Sequence, residues 1–411
     1  MDKNVVSVEP YKPEIVGPMK VKFIRVAVSV LWTALVIAGA RFTNFNEPYL
    51  PFAIGGSLVF FLRSKPSRWQ IYAWLVISAG FIKLIHLPQV PFWVLRVAAA
   101  SAVLGFGGLL LLGLRSLWSD REDGDNALAL LIPPLILIFF ILVSAHGLGL
   151  TGEFRPQTYD LWLFVFDGSL GFQPSFSVGR IMFNSVALTR SALLVYLSLP
   201  FAMAVTCAWQ VPIGSRRIPW RFLAVLALAG IGGWLLYNVV PATGPIYVFG
   251  QSFPWSTLPY KDLAGFTLKK LTLSPGIPRN AMPSLHMGWA VLLWWNSRRF
   301  PLVLRAAVLM FLILTVVSTL GGGQHYLVDL IASLPFALTV QALASTGVYK
   351  RRWVPAAAVG AGLTALWILM VRYGVRLALI SPVIPWTLVI VTISVTLWLQ
   401  HWMSTESSLD G

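Results

Sequence analysis

Two histidines have neighbours that suit nucleophilic or acid–base chemistry. His325 follows three glycines at 321–323 and opens an apolar stretch, and Asp329 comes four residues later. On a helix that begins near His325, the carboxylate lies one turn on and on the same face. It can accept one imidazole N–H, fix the tautomer and leave the other nitrogen free to attack. His286 opens an earlier apolar stretch at the same predicted depth, so it is a second acid and base.

A zinc site is the alternative for this trio, because two imidazoles and one carboxylate can bind zinc. No further His, Cys or Glu cluster lies near these residues, so we expect neither a metal nor another cofactor. The three remaining histidines are interpreted as hydrogen-bonded structural residues: His86, His146 and His401.

The composition places this chemistry in a membrane. Of the 411 residues, 57% are hydrophobic and 11% are charged, whereas a soluble domain carries about 25% charge, which excludes a soluble globular protein. At about 20 residues per span, the sequence predicts an all-α, polytopic integral membrane protein with about twelve transmembrane helices. The apolar stretches fall at 24–41, 50–63, 70–86, 91–114, 127–150, 189–210, 220–240, 284–297, 300–320, 326–346, 353–371 and 382–402.

The charge pattern predicts an orientation in the cell membrane. The net charge of +16 would indicate nucleic acid in a soluble protein, but the basic residues lie in short runs between apolar stretches. We therefore expect no nucleic-acid partner. The positive-inside rule places both termini in the cytoplasm and the long loops 151–188 and 241–283, with the two histidines, on the extracytoplasmic side.

Polar sequence divides the chain into three parts. Residues 116–126 form the most polar internal segment and are interpreted as a linker. An N-terminal unit of about four spans, 1–120, precedes it. A six-helix catalytic core at 127–346 follows, and two further spans occupy 353–402.

Two strings resemble family motifs. Pro-Ser-Leu-His at 283–286 and His-Tyr-x-x-Asp at 325–329 resemble the second and third motifs of the type 2 phosphatidic acid phosphatase superfamily. The match is closest to its inositol phosphorylceramide synthase-like branch, whose Pro-rich segment resembles Pro-Ala-Thr-Gly-Pro at 241–245. The resemblance covers roughly 127–346.

The resemblance implies a role for each residue of the trio. His325 would be the nucleophile that takes a phosphoryl group from a lipid, and Asp329 would be its orienting partner. His286 would protonate the leaving oxygen and then deprotonate an acceptor hydroxyl.

The departures from the phosphatase motifs favour transfer over hydrolysis. The first phosphatase motif, KxxxxxxRP, is absent from this sequence. Thr319 stands where the third motif has an arginine, and Leu285 replaces the glycine of the second. Two phosphate-binding residues of the phosphatase branch are therefore missing.

Other residues are candidates for contact with the substrate. Arg279 and the pair Lys269 and Lys270 can bind phosphate, although the lysines also fit a solvated surface. Ser284 can donate to phosphate near a helix N-terminus, where backbone N–H groups favour an anion. Two aspartates seven residues apart resemble the loop region of bacterial relatives and can touch the acceptor or headgroup, or can lie on a solvated helix: Asp160 and Asp167.

These observations predict a membrane phosphotransferase. It would move a phosphoryl-headgroup, with phosphoinositol as one candidate, from a phospholipid donor to a lipid or polyol hydroxyl through phosphohistidine. A phosphatase acting on a lipid or polyprenyl phosphate is the first alternative, because the same trio serves it. A transporter is the second alternative, which the span count favours and the clustering of charge at one face disfavours.

Overall fold

The computed structural model describes residues 49–85, 93–212, 217–257, 267–345 and 352–405. The predicted span at 24–41 and His86 lie outside these residues. The described chain is almost entirely helical, which confirms the all-α prediction, and its strands are one antiparallel pair of two residues each.

Within the described residues, four helices precede the first strand: α1 Tyr49–Arg63, α2 Arg68–Ile85, α3 Trp93–Trp118 and α4 Arg121–Phe154. The strand β1 Gln157–Thr158 leads into α5 Asp160–Ser169, α6 Pro174–Phe183, α7 Val186–Leu197, α8 Leu199–Gln210, α9 Trp220–Val239 and α10 Pro245–Phe249. After β2 Leu271–Thr272 come α11 Leu285–Asn296, α12 Leu302–Gly321, α13 Leu327–Leu343, α14 Trp353–Leu369, α15 Val375–Ala378 and α16 Val383–Thr405.

The predicted linker at 116–126 is wrong, because most of it is helix. Only two residues separate the end of α3 from the start of α4. The Arg115 guanidinium pairs with the Asp123 carboxylate across this corner and also donates to the Ser64 carbonyl. The polar residues therefore tie the two helix ends together.

The predicted count of about twelve spans is also corrected. Among the described residues, six helices are long and apolar enough to cross a membrane, or seven if α6 and α7, bent by 118°, form one span. The apolar stretches near 50, 284 and 326 form helices of only 15, 12 and 17 residues. At about 1.5 Å per residue, 12 residues reach only about 18 Å, so apolar composition alone overestimated the count.

One apolar core joins helices from both sides of the predicted domain boundary. α1 packs against α3, α4 and α8, and α11 packs against α8, α9 and α13. Buried Phe60 and Phe61 of α1 belong to the same hydrophobic cluster as Met203 of α8 and Trp289 of α11. The N-terminal helices are therefore packed on the segment that carries the two histidines.

Candidate active site

The main chain holds His325 between α12 and α13. Its N–H donates to the Thr319 carbonyl at 3.2 Å, and the Ser175 hydroxyl donates to the His325 carbonyl at 2.8 Å. The side chain is only 1% exposed. Thr319, which replaces the motif arginine, uses its own hydroxyl within α12, where it donates to the Thr315 carbonyl.

The contacts of the His325 ring define its tautomer. Nδ1 lies 3.1 Å from the Ala281 carbonyl oxygen and 3.5 Å from Oδ2 of Asp329. A carbonyl only accepts, so Nδ1 carries the hydrogen and Nε2 presents its lone pair. Burial lowers the pKa of His325 to about 3, against the opposing effect of the Ala281 hydrogen bond, so the ring is neutral near pH 7. The neutral ring can attack through Nε2.

Asp329 also links the two histidine motifs. Its Oδ2 accepts the Tyr326 N–H at 2.8 Å, and its main-chain carbonyl accepts the Ser284 N–H at 3.2 Å. The Ser333 hydroxyl lies 2.7 Å from that carbonyl and 2.8 Å from the Ser284 carbonyl. These bonds bring the start of α13 against the start of α11, as the shared role of the trio requires.

His286 lies in the first turn of α11 and interacts electrostatically with His325. Ser284 is the N-cap of this helix, and its hydroxyl oxygen accepts the Met287 N–H at 3.4 Å. That bond uses an oxygen lone pair and leaves the O–H as a donor. The predicted contact of Ser284 with phosphate stays a prediction.

Two tyrosines flank the His286 ring. The Tyr196 ring is stacked on it with a centroid separation of 3.9 Å, and the Tyr49 hydroxyl lies 3.4 Å from Nε2. Sequence reasoning named neither tyrosine. No local spacing could have found Tyr49, which precedes His286 by 237 residues.

Asp160 and Asp167 organise the loops around the histidines. Asp160 accepts the N–H groups of Thr243 and Gly244, and Asp167 accepts those of Leu327 and Val328 at the start of α13. Both aspartates are fully buried. The predicted contact with acceptor or headgroup gains no support here, because backbone groups occupy the two carboxylates.

Burial raises the pKa of both carboxyl groups, that of Asp167 to about 8. The backbone N–H groups oppose this shift because they stabilise the ionised form. For Asp167, the charge of Asp329 adds to the rise.

The Pro-rich segment packs directly beside His325. Gly244 has φ of +111°, and a Cβ at this position would collide with the Gln324 carbonyl. The Ile246 N–H donates to the Gly323 carbonyl at 2.9 Å. The Pro-rich segment therefore supports the loop that carries His325.

The phosphate role predicted for Arg279 is corrected by its contacts. The side chain is fully buried, and its guanidinium donates to five main-chain carbonyls, those of Arg155, Pro156, Leu273, Ser274 and Ile277. An arginine has five N–H donors, so this set uses its full capacity. Arg279 therefore joins the segments 151–188 and 241–283, next to the pairing of β1 with β2.

The two lysines remain candidates for phosphate binding. Lys269 and Lys270 are exposed, and the ammonium of Lys270 lies 4.9 Å from the centre of the Tyr159 ring. No contact joins either lysine to the histidines. Across the described residues, no group of three or more His, Cys, Asp or Glu side chains could hold a metal ion.

A known family model matches the segment that carries the trio. Residues 161–343 match the family model of the PAP2 superfamily. This PAP2 segment runs from α5 to α13 and contains His286, His325 and Asp329. No curated protein and no solved structure matches the chain.

The match agrees with the motif resemblance at the level of the superfamily. Members of the superfamily are generally phosphatases or phosphotransferases, so the PAP2 segment supports an enzyme with lipid-related activity of this type. The long apolar helices support a membrane protein. Tyr49 and the helices α1 to α4 lie outside the matched segment.

Proposed function

We propose that this chain is an integral membrane phosphotransferase. It moves a phosphoryl-headgroup, such as phosphoinositol, from a phospholipid to a lipid or polyol hydroxyl. The observation that carries the proposal is the contact of the His325 Nδ1 with the Ala281 carbonyl, since it leaves Nε2 as an unprotonated nucleophile in a motif that interacts with His286.

In the first step, Nε2 of His325 attacks the phosphorus of the donor. A P–N bond forms while the P–O bond to the lipid alcohol breaks. His286 gives its proton to the departing oxygen, which leaves as a neutral hydroxyl. The headgroup phosphate stays on His325, and its own negative charge offsets the positive charge of the phosphorylated ring. Nδ1 keeps its hydrogen bond to the Ala281 carbonyl, with Asp329 3.5 Å away.

In the second step, neutral His286 takes the proton of the acceptor hydroxyl. The acceptor oxygen attacks phosphorus, and the P–N bond breaks to restore neutral His325. The first-turn N–H groups of α11 favour the anionic phosphate beside His286. Both proton transfers use the same imidazole, so the site needs no second acid.

The contacts of Thr319 and Arg279 favour a phosphodiester as the donor. A phosphodiester carries one negative charge, whereas a phosphomonoester carries up to two at neutral pH. The motif arginine is replaced by Thr319, and the N–H donors of Arg279 are used by carbonyls. A site with fewer cationic donors is better matched to the singly charged substrate.

A lipid or polyprenyl phosphate phosphatase is the second candidate. The PAP2 match supports a phosphatase as much as a phosphotransferase, because the superfamily includes both kinds of enzyme. Water would replace the acceptor hydroxyl in the second step.

We also propose that the site faces the extracytoplasmic side and that both termini are cytoplasmic, on the charge pattern of the loops.

The test uses purified full-length protein. One reaction contains phosphatidylinositol with ceramide or diacylglycerol, and another contains lipid phosphates, with lipid products and released phosphate followed in both. The His325→Ala protein should lose whichever activity appears. The exposed histidines His146 and His401 provide matched controls, since their alanine variants should retain activity. Full activity of His325→Ala would overturn the covalent mechanism.

A further inference from the structure

The imidazole of His286 lies between two phenol rings. Tyr196 is stacked nearly parallel to it, with 9° between the ring planes. Tyr49 is tilted by 52° with a centroid separation of 5.9 Å, and its hydroxyl contacts Nε2 at 3.4 Å. The side chains of Tyr49 and Tyr196 are also hydrogen-bonded to each other. The three side chains thus form one cluster around the predicted acid and base.

Tyr49 reaches this cluster from outside the PAP2 segment. It is the first residue of α1, and the residues that follow it, Phe52, Ala53 and Ile54, are buried. Packing of α1 against α3, α4 and α8 therefore fixes where the Tyr49 ring can lie. An N-terminal helix thereby adds a group to a site whose other members lie within 161–343.

We propose that Tyr49 is a positioning residue for His286 and that the N-terminal helices complete the active site by presenting it. The catalytic part of this inference rests on the proposed phosphotransfer. Its geometric part, the contact between the hydroxyl and Nε2, can be tested without any substrate.

A phenol suits this position because His286 must carry and lose a proton in each cycle. The hydroxyl can accept a hydrogen bond from Nε2–H, and it can donate to Nε2 when that nitrogen is unprotonated. The tyrosine itself never changes protonation. The stacked Tyr196 ring restricts the tilt of the imidazole, so the two phenols together fix its position and plane.

Tyr49→Phe isolates the hydroxyl, because the ring and its packing are kept. The matched control is Tyr72→Phe, which removes a hydroxyl from an exposed tyrosine of α2. With full-length protein, kcat should fall about 5- to 10-fold in Tyr49→Phe, with KM for the donor unchanged, as expected for one lost hydrogen bond in the proton-transfer steps. The pH profile of kcat should also shift, while Tyr72→Phe matches the wild type.

A second measurement follows the chemical reactivity of the His286 ring itself. Diethyl pyrocarbonate modifies unprotonated imidazole nitrogens, and mass spectrometry of the peptide gives the rate at His286. In the His325→Ala background, Tyr49→Phe should raise this rate at least about threefold over Tyr72→Phe, because the hydroxyl no longer engages the Nε2 lone pair. His146 and His401 should react equally in both proteins.

Equal rates of His286 modification in Tyr49→Phe and Tyr72→Phe, both in the His325→Ala background, would overturn the proposal. An unchanged kcat in the Tyr49→Phe enzyme would also overturn it. If the wild type transfers no phosphoryl group from any donor, the proposed function fails. The modification rate at His286 still decides whether Tyr49 positions it.

Discussion

At the scale of single residues, the neutral His325 ring gives the enzyme a distinctive pH dependence. Protonation of Nε2 abolishes the nucleophile, and burial moves that protonation down to a pKa of about 3. For an imidazole with the ordinary pKa of 6.5, the neutral fraction would fall about 25-fold between pH 7 and pH 5. Protonation of His286, the proposed acid of the first step, can only favour that step as the pH falls. We therefore expect kcat/KM for a phosphodiester donor to fall less than about threefold over this interval.

This profile is measured with initial rates in buffered detergent micelles. Assays at pH 7 after incubation at pH 5 exclude irreversible loss of protein. A drop in kcat/KM with a midpoint near pH 6.5 would show that His325 titrates as an ordinary histidine.

Asp329 shares the task of fixing His325 with the Ala281 carbonyl, which is the nearer of the two groups to Nδ1. Where a carboxylate alone fixes the tautomer, its amide replacement lowers kcat about 10⁴-fold. We expect Asp329→Asn to cost only about 10- to 100-fold in kcat, because the carbonyl still accepts from Nδ1. Steady-state kinetics of the variant measures the effect, and a loss near 10⁴-fold would mean that the carbonyl does not hold the ring.

At the scale of elements, the start of α13 depends on the carboxyl group of Asp167 in α5. Asp167→Ala leaves the N–H groups of Leu327 and Val328 without this acceptor, at a cost of about 1–3 kcal/mol in the free energy of unfolding. Asp167→Asn keeps one acceptor oxygen and should lose less stability. In detergent, the thermal unfolding temperature should be highest for the wild type, lower for Asp167→Asn and lowest for Asp167→Ala. Equal stability of the three proteins would show that the cap is dispensable.

The two long outer loops are joined into one layer by β1 and β2 and by Arg279. The proposed orientation places this layer outside the cell. Lys269→Cys tests it, because the single native cysteine, Cys207, is buried and the new thiol is exposed. In intact cells a membrane-impermeant maleimide should label Lys269→Cys. It should not label Ser67→Cys, which the positive-inside rule places in the cytoplasm because Arg63, Lys65 and Arg68 surround it. The reverse pattern would invert the topology.

At the scale of the whole molecule, local spacing was sufficient to predict which residues of the trio lie near a helix start. His325 and Asp329 lie four residues apart across a helix start, and the 3.5 Å contact between Nδ1 and Oδ2 follows from that spacing. His286 lies in the first helical turn, as its position at the start of an apolar stretch predicted.

Properties that depend on distant parts of the chain could not be predicted from spacing. Arg279 had the right charge for phosphate, but loop packing surrounds it with carbonyls. Tyr49 meets His286 only because α1 packs on the core. The span count failed because apolar stretches do not reveal where helices break, as at Ser198 between the end of α7 and the start of α8.

Phosphotransfer through His325 is tested most directly by trapping the covalent intermediate. Full-length protein is incubated with a phospholipid donor labelled in its phosphate, without acceptor, then quenched in alkali and digested. The proposed mechanism predicts an acid-labile, alkali-stable label on the peptide that contains His325, present in wild type and in His401→Ala and absent from His325→Ala. Turnover of the donor without any label on His325 would contradict it.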